Sequence, residues 1–225
     1  MGWELAAIFL KKRSGQPVGA RKRTGVRRKR LSAPGSTSGN AVFLVGFMGA
    51  GKTSVGRALA KQLNWVFEDL DDRIQQREGR TVAEIFRSSG EPAFRQAEHA
   101  ALEQVLEEVR GGVARIVALG GGAFVQEANA AMLLASGVPT VFLDAPVEQL
   151  WQRCSRQASE TGTERPLLGS MEQFRDLHSK RRKSYLKAVV KIETGSGTID
   201  AIAAQIAETL GLRKIAIRTE QGDDE

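Results

Sequence analysis

The chain has 225 residues, 41% hydrophobic and 26% charged, with one cysteine and two histidines. That is enough for one sizeable core, but it excludes an intrachain disulfide and leaves no Cys/His set at zinc-site spacing. The formal net charge of +7 is uneven: residues 1–40 carry ten Lys or Arg against Glu4 alone, and the remainder carries 23 basic and 25 acidic residues. A nucleic-acid argument from basicity therefore applies only to the leader.

In chain order, the apolar stretch Leu5 to Leu10 is too short for a membrane helix, and Glu4 stands where a secretory signal needs a positive start. No membrane association is expected. Residues 11–40 combine the runs Lys11-Lys12-Arg13, Arg21-Lys22-Arg23 and Arg27-Arg28-Lys29-Arg30 with Pro, Gly and Ser. With almost nothing to bury, residues 1–40 are expected to be a disordered basic extension. Three readings stay open: dispensable residues from an upstream start, which is favoured; an organelle transit peptide; or a polyanion-binding arm. The lone Cys154 fits a reducing compartment, so a cytoplasmic location is expected, with a plastid as the alternative if the leader is a transit peptide. A monomer is expected. Residues 213–225 read as a flexible tail.

Strands and helices alternate through residues 41–212 as a doubly wound α/β sheet requires. Five parallel strands are predicted, at Ala41–Val45, Trp65–Glu68, Ala114–Leu119, Pro139–Leu143 and Val189–Glu193. Helices are predicted at 52–63, 81–88, 91–110, 126–135, 171–187 and 198–210. In the third of these, Phe94, Ala97, Ala101, Val105 and Val109 form an apolar stripe of 3.6-residue period, which is core. His99 and His178 read as helix-surface residues.

The first strand runs into Gly46-Phe-Met-Gly-Ala-Gly-Lys-Thr53, the pattern G-x-x-x-x-G-K-[ST] between strand and helix. Such a loop turns backbone N–H groups onto phosphate oxygens, so Gly49, Ala50, Gly51, Lys52, Thr53 and Ser54 are candidate nucleotide contacts. Lys52 can reach the terminal phosphates, and the Thr53 hydroxyl can ligate Mg²⁺. After the second strand, Asp69 and Asp71 stand two residues apart at the sheet edge that faces a ligand crevice. Phosphoryl transfer to an alcohol needs one carboxylate near the metal and one near the acceptor, although an acidic helix start explains the same residues. Arg95 and Glu98 share a helix face, which suits either a held arginine that grips a substrate carboxylate or a surface ion pair. Gly120-Gly121-Gly122 follows the third strand and either lets a ligand approach backbone closely or is simply a connecting loop.

Taken in order, GFMGAGKT with SVGRALA, FEDLDDRI, GRTVAEIF followed by GEPAFRQAE, LGGGAF, and ERPLL around Arg165 resemble shikimate kinase from about Val42 to about Leu210. The resemblance implies a P-loop kinase fold, with a five-stranded parallel sheet flanked by helices and a lid at about 155–170. It implies ATP and Mg²⁺ as cofactors and shikimate as the acceptor, phosphorylated on its 3-hydroxyl in aromatic amino acid biosynthesis. By the same likeness Asp69 is the metal-side acid and Asp71 the base at the hydroxyl. Arg95 and Arg181 hold the shikimate carboxylate beside Gly120, Gly121 and Gly122; Arg181 is chosen over Lys180 and Arg182 because it stands four residues before Tyr185. Arg165 is the lid arginine at the transferring phosphate, and Arg153 flanks the adenine.

The chain departs from the family pattern at Leu70, where Ser or Thr is usual, in the longer stretch from Cys154 to Glu164, and in lacking a proline between Arg181 and Tyr185. Three alternatives remain beside the shikimate reading. One is a kinase for another small polyol acid such as gluconate, another a non-catalytic nucleotide-binding relative, and the third nucleic-acid binding through the leader.

Overall fold

Three strands form the buried centre of the molecule: β1 (Ala41–Val45), β3 (Arg115–Ala118) and β4 (Thr140–Asp144), every residue of which is buried. Their runs of apolar residues, without polar alternation, are what a parallel strand covered on both faces requires. The edges are β2 (Val66–Asp69) and β5 (Val190–Glu193), both part-exposed. In this computed structural model, which describes residues 40–161 and 169–215, all neighbouring strands are parallel in the order β2-β3-β1-β4-β5. Registers such as Leu44↔Ala118 and Leu44↔Val141 bring the strands' carboxyl ends to one edge of the sheet. The leader falls outside the described residues, except for Asn40.

The helices are α1 (Lys52–Leu63), α2 (Leu70–Glu78), α3 (Val82–Arg110), α4 (Glu127–Ala135), α5 (Val147–Thr161), α6 (Met171–Tyr185) and α7 (Ile199–Leu210). Neither α2 nor α5 is among the predicted helices, although an acidic helix start was one of the two readings of the segment that opens α2. In α2, Asp69 caps the helix by accepting from the Asp71 N–H, so the acidic segment is a helix start as well as a strand end. In α5, Val147, Leu150, Trp151 and Cys154 repeat at helical spacing, a pattern legible in the sequence; Leu150 and Cys154 are fully buried. Residues 155–161, assigned from the sequence to a lid, are the last turns of this helix.

The two helices expected at 81–88 and 91–110 form one span, α3, interrupted by non-helical Gly90 (φ 79°, ψ 171°). Thr81 and Glu84 close a capping box at its start. Phe94, Ala101 and Val105 of the predicted stripe are in the core, with Ala97 and Val109 packed against it. At the other end, Ile215 is tied down: its N–H donates to the Leu63 carbonyl, and its own carbonyl accepts from Asn64. Among the described residues no helix is long and apolar enough to cross a membrane.

Candidate active site

All five strands end at the edge where the candidate residues gather, the place at which open α/β sheets bind ligands. A cleft of about 660 Å³ opens there. Residues 48–55, Asp69, Asp71, Leu119, Gly120, Gly121, Arg153 and Thr194 are among its lining. Eleven predicted site residues, Gly49, Ala50, Gly51, Lys52, Thr53, Ser54, Asp69, Asp71, Gly120, Gly121 and Arg153, thus share one cavity.

The phosphate loop is shaped by backbone. Gly49 and Gly51 lie at φ 79° and 90°, and α1 begins at Gly51 without a side-chain cap, leaving its first amides free to meet an anion. A Cβ on Gly49 would sit 2.7 Å from the Leu150 carbonyl oxygen and 2.9 Å from Cys154 Sγ, so α5 presses directly on the loop. The Lys52 ammonium folds back on the loop, donating to the carbonyls of Gly46 (2.8 Å) and Phe47 (3.0 Å). Burial lowers its pKa to about 8, against the pull of Asp71 and Asp69.

Asp69 is oriented through both oxygens. Oδ1 accepts from the Asp71 N–H at 3.1 Å and Oδ2 from the Thr53 hydroxyl at 3.0 Å. Asp71 is different: its Oδ1 is buried without a hydrogen-bond partner, 2.6 Å from where a Cβ on Gly120 would lie. Burial raises the Asp71 pKa to about 6, with Asp69 adding to the rise and Lys52 opposing it. A buried, unpartnered carboxylate oxygen beside a glycine with no room for a side chain marks a place for a donor from outside the chain.

Beyond Asp71 the glycine run meets two guanidiniums. A Cβ on Gly122 would lie 2.6 Å from both Nη1 and Nη2 of Arg95, and one on Gly121 would lie 3.6 Å from Arg181 Nη1. Glu98, 1% exposed, accepts from Arg95 Nη1 at 2.8 Å, so this is a buried pair and not a surface one. Arg181 reaches over the Phe47 ring at 5.9 Å, and Tyr185, one turn further along α6, donates its hydroxyl to the Gly121 carbonyl at 2.5 Å. The neighbours of Arg181 are engaged elsewhere: Arg182 pairs with Asp144 at 2.6 Å, and Lys180 is exposed. Helix α6 runs through the missing proline position without a break, which keeps Arg181 and Tyr185 one turn apart on one face.

At the opposite end of the cleft, Arg153 bridges two segments. Its Nη2 donates to the Thr194 carbonyl at 2.7 Å and its Nη1 to that of Gly49 at 3.4 Å. The buried Thr194 hydroxyl lies within bonding distance of the carbonyls of Ala50 and Asp144. Thr194, Gly197, Ile199 and Ile202 line this end, as do Arg156, Gln157 and Glu160 on α5. None of these is a predicted site residue, because no local motif marks them, although Arg156, Gln157 and Glu160 fall inside the segment expected to form a lid.

Leu70 is fully buried in the core. His178 is a correction: it is 9% exposed, edge-on to Phe47 at 5.3 Å, because its face of α6 packs under the phosphate loop. His99 lies on the surface as expected, with Nδ1 2.6 Å from Asn129 Oδ1. Arg165 lies outside the described residues, as do residues 162–168 of the expected lid.

The shikimate kinase family model matches residues 48–211. A curated shikimate kinase from Cereibacter sphaeroides is 39% identical over 183 residues, 80% of this chain and 87% of its own length. One from Persephonella marina is 36% identical over 68% of this chain and 88% of its own. A solved shikimate kinase from Acinetobacter baumannii, in complex with shikimate, superposes with a TM-score of 0.67 at 36% identity, covering 76% of this chain and 92% of that one.

Proposed function

This chain belongs to the shikimate kinase family and phosphorylates shikimate with ATP, and we propose that the cleft above is where it does so, with the side chains sharing the work as follows. ATP lies along the phosphate loop, its phosphates on the amides of residues 49–54 and on Lys52, with its base between Arg153 and the Gly197–Ile199 side. Shikimate sits past Asp71, its carboxylate toward Arg95 and Arg181 and its ring against Gly120, Gly121 and Gly122. Asp71 accepts the proton of the 3-hydroxyl as that oxygen attacks the terminal phosphorus in line and ADP departs.

The observation that carries this assignment is the unpartnered Asp71 oxygen, set between the phosphate loop and the arginine pair. Both Lys52 and Arg95 act on this carboxylate, which supports an acceptor held beside it with its hydroxyl toward the phosphates and its own carboxylate toward the arginines. Thr53 and Asp69 offer hard oxygen donors 3.0 Å apart, and a hydroxyl with one carboxylate fits Mg²⁺, whose other ligands are commonly water and phosphate. Bound there, Mg²⁺ supplies charge neutralisation at the phosphates. Thr53 and Asp69 hold their geometry through their own hydrogen bond, and Lys52 swings from two loop carbonyls to the terminal phosphates. By the family likeness Arg165, outside the described residues, is assigned the neutralisation of charge on the transferring phosphate.

The test is ATP turnover by the full chain with shikimate, with gluconate and with no acceptor. Turnover dependent on shikimate is expected. An equal rate without it, or a faster one with gluconate, overturns the assignment.

A further inference from the structure

Both outer edges of the Arg95 guanidinium already hold carboxylates in the free protein. Glu98 takes Nη1 at 2.8 Å, and a single oxygen of Glu91, Oε1, accepts from both Nε at 3.1 Å and Nη2 at 2.9 Å, the pair of N–H groups that a ligand carboxylate grips with two oxygens. The remaining edge is filled by the glycine run, since a Cβ on Gly122 would lie 2.6 Å from both terminal nitrogens and 2.9 Å from Cζ. An incoming carboxylate therefore finds no vacant pair of N–H donors on Arg95.

The two acids are not equivalent. Glu98 is 1% exposed, and withdrawing it would strand a buried charge. Glu91 is 62% exposed, immediately after the break at Gly90, and pairs with Arg95 at the favourable i,i+4 spacing. An exposed pair of this kind is weak and loses little by exchanging its partner for water.

We infer that Glu91 is a specificity-determining residue that occupies the substrate-carboxylate position on Arg95 until shikimate displaces it. Binding is then an exchange of one carboxylate for another at the same two N–H groups. The exchange disfavours simple carboxylates that can offer Arg95 nothing better than Glu91 does. A ligand that also reaches Arg181 and Asp71 overcomes it. Glu98 has the opposite effect, holding the guanidinium in place for either partner.

This inference rests on the assignment of Arg95 to the acceptor carboxylate. The experiment measures KM for shikimate, KM for ATP and inhibition by benzoate in the full chain and in E91Q, E91A, E98Q and R95A. Removing the Glu91 charge should lower the shikimate KM about two- to fivefold, the range an exposed ion pair allows, and tighten benzoate inhibition by a similar factor while the ATP KM holds. E98Q should raise the shikimate KM. If E91Q and E91A leave the shikimate KM unchanged or raise it while R95A raises it strongly, Glu91 is only a support, and the exchange falls while the assignment stands. If R95A leaves the shikimate KM unchanged, both fall.

Discussion

The two ends of the cleft are built differently. The phosphate side of the proposed nucleotide end comes from the eight consecutive residues Gly46 to Thr53, whose backbone makes the binding surface, with three glycines at positive φ and an uncapped helix start. The proposed acceptor side comes from four segments far apart in sequence: Asp71, Gly120 and Gly121 line the cleft, and Gly122, Arg95 with Glu98, and Arg181 with Tyr185 adjoin them outside that lining. A backbone site fails when its conformation is disturbed and tolerates most side-chain exchanges. A side-chain site fails one charge at a time, and those failures can be separated kinetically.

The largest separation is expected at Asp71, the point where the two ends meet. Asp71→Asn keeps the size of the group and removes the proton acceptor, so kcat should fall about 10²–10⁴-fold, the range for general base catalysis. ATP affinity, measured by equilibrium titration, should stay near that of the parent protein. Loss of ATP binding in this variant would place Asp71 on the nucleotide side and collapse the comparison.

Adding one methyl group at either end should break that end alone. In Gly122→Ala the new Cβ meets the Arg95 guanidinium at 2.6 Å and displaces it. Losing a charged hydrogen-bonding partner should raise the shikimate KM roughly ten- to hundredfold and leave the ATP KM unchanged. Gly49→Ala instead forces a left-handed position (φ 79°) and a collision with backbone. It should raise the ATP KM and cost about 1–3 kcal/mol in urea unfolding. A variant at one end that moves only the other end's KM would refute the division.

The sequence made these two ends legible to different degrees for the same reason. A contiguous loop between a strand and a helix is a local pattern, and it was readable in full. Arg95 was readable because Glu98 lies one helical turn away. Arg181 stood among three adjacent cations, and only the engagement of Arg182 by Asp144 separates them in space. Thr194 carries no local signature at all; its bonds to Ala50, Asp144 and Arg153 span 144, 50 and 41 residues of chain. Helix α5 does carry a local signal, the 3.6-residue apolar period of Val147, Leu150, Trp151 and Cys154. The strands were found within a residue or so. Their order depends on crossovers that no short window of sequence contains.

A pH profile should distinguish the ends by their opposite charges. Burial raises Asp71 to about 6, so below that pH the base is protonated and kcat/KM for shikimate should fall tenfold per pH unit. Burial lowers Lys52 to about 8, so above that pH the ammonium is lost and kcat/KM for ATP should fall. The acid limb should vanish in Asp71→Asn, whereas the alkaline limb should persist. An acid limb near 6 that survives in Asp71→Asn would belong to another group.

The smallest effect on activity is expected at Leu70, between the two acids, where the family pattern has Ser or Thr. A hydroxyl there would matter to the acceptor end only if the side chain faced the cleft. It does not: Leu70 is fully buried, as the first residue of a helix whose cap and first turn supply Asp69 and Asp71 to the cleft. Leu70→Thr therefore places an oxygen in an apolar site and removes packed methyl groups, which should cost about 2–4 kcal/mol of stability in urea unfolding. At temperatures where the variant is folded, kcat and both KM values should change less than twofold. A marked drop in the shikimate KM of Leu70→Thr would mean that this position can turn into the cleft, and that the acceptor end extends further along α2 than Asp71.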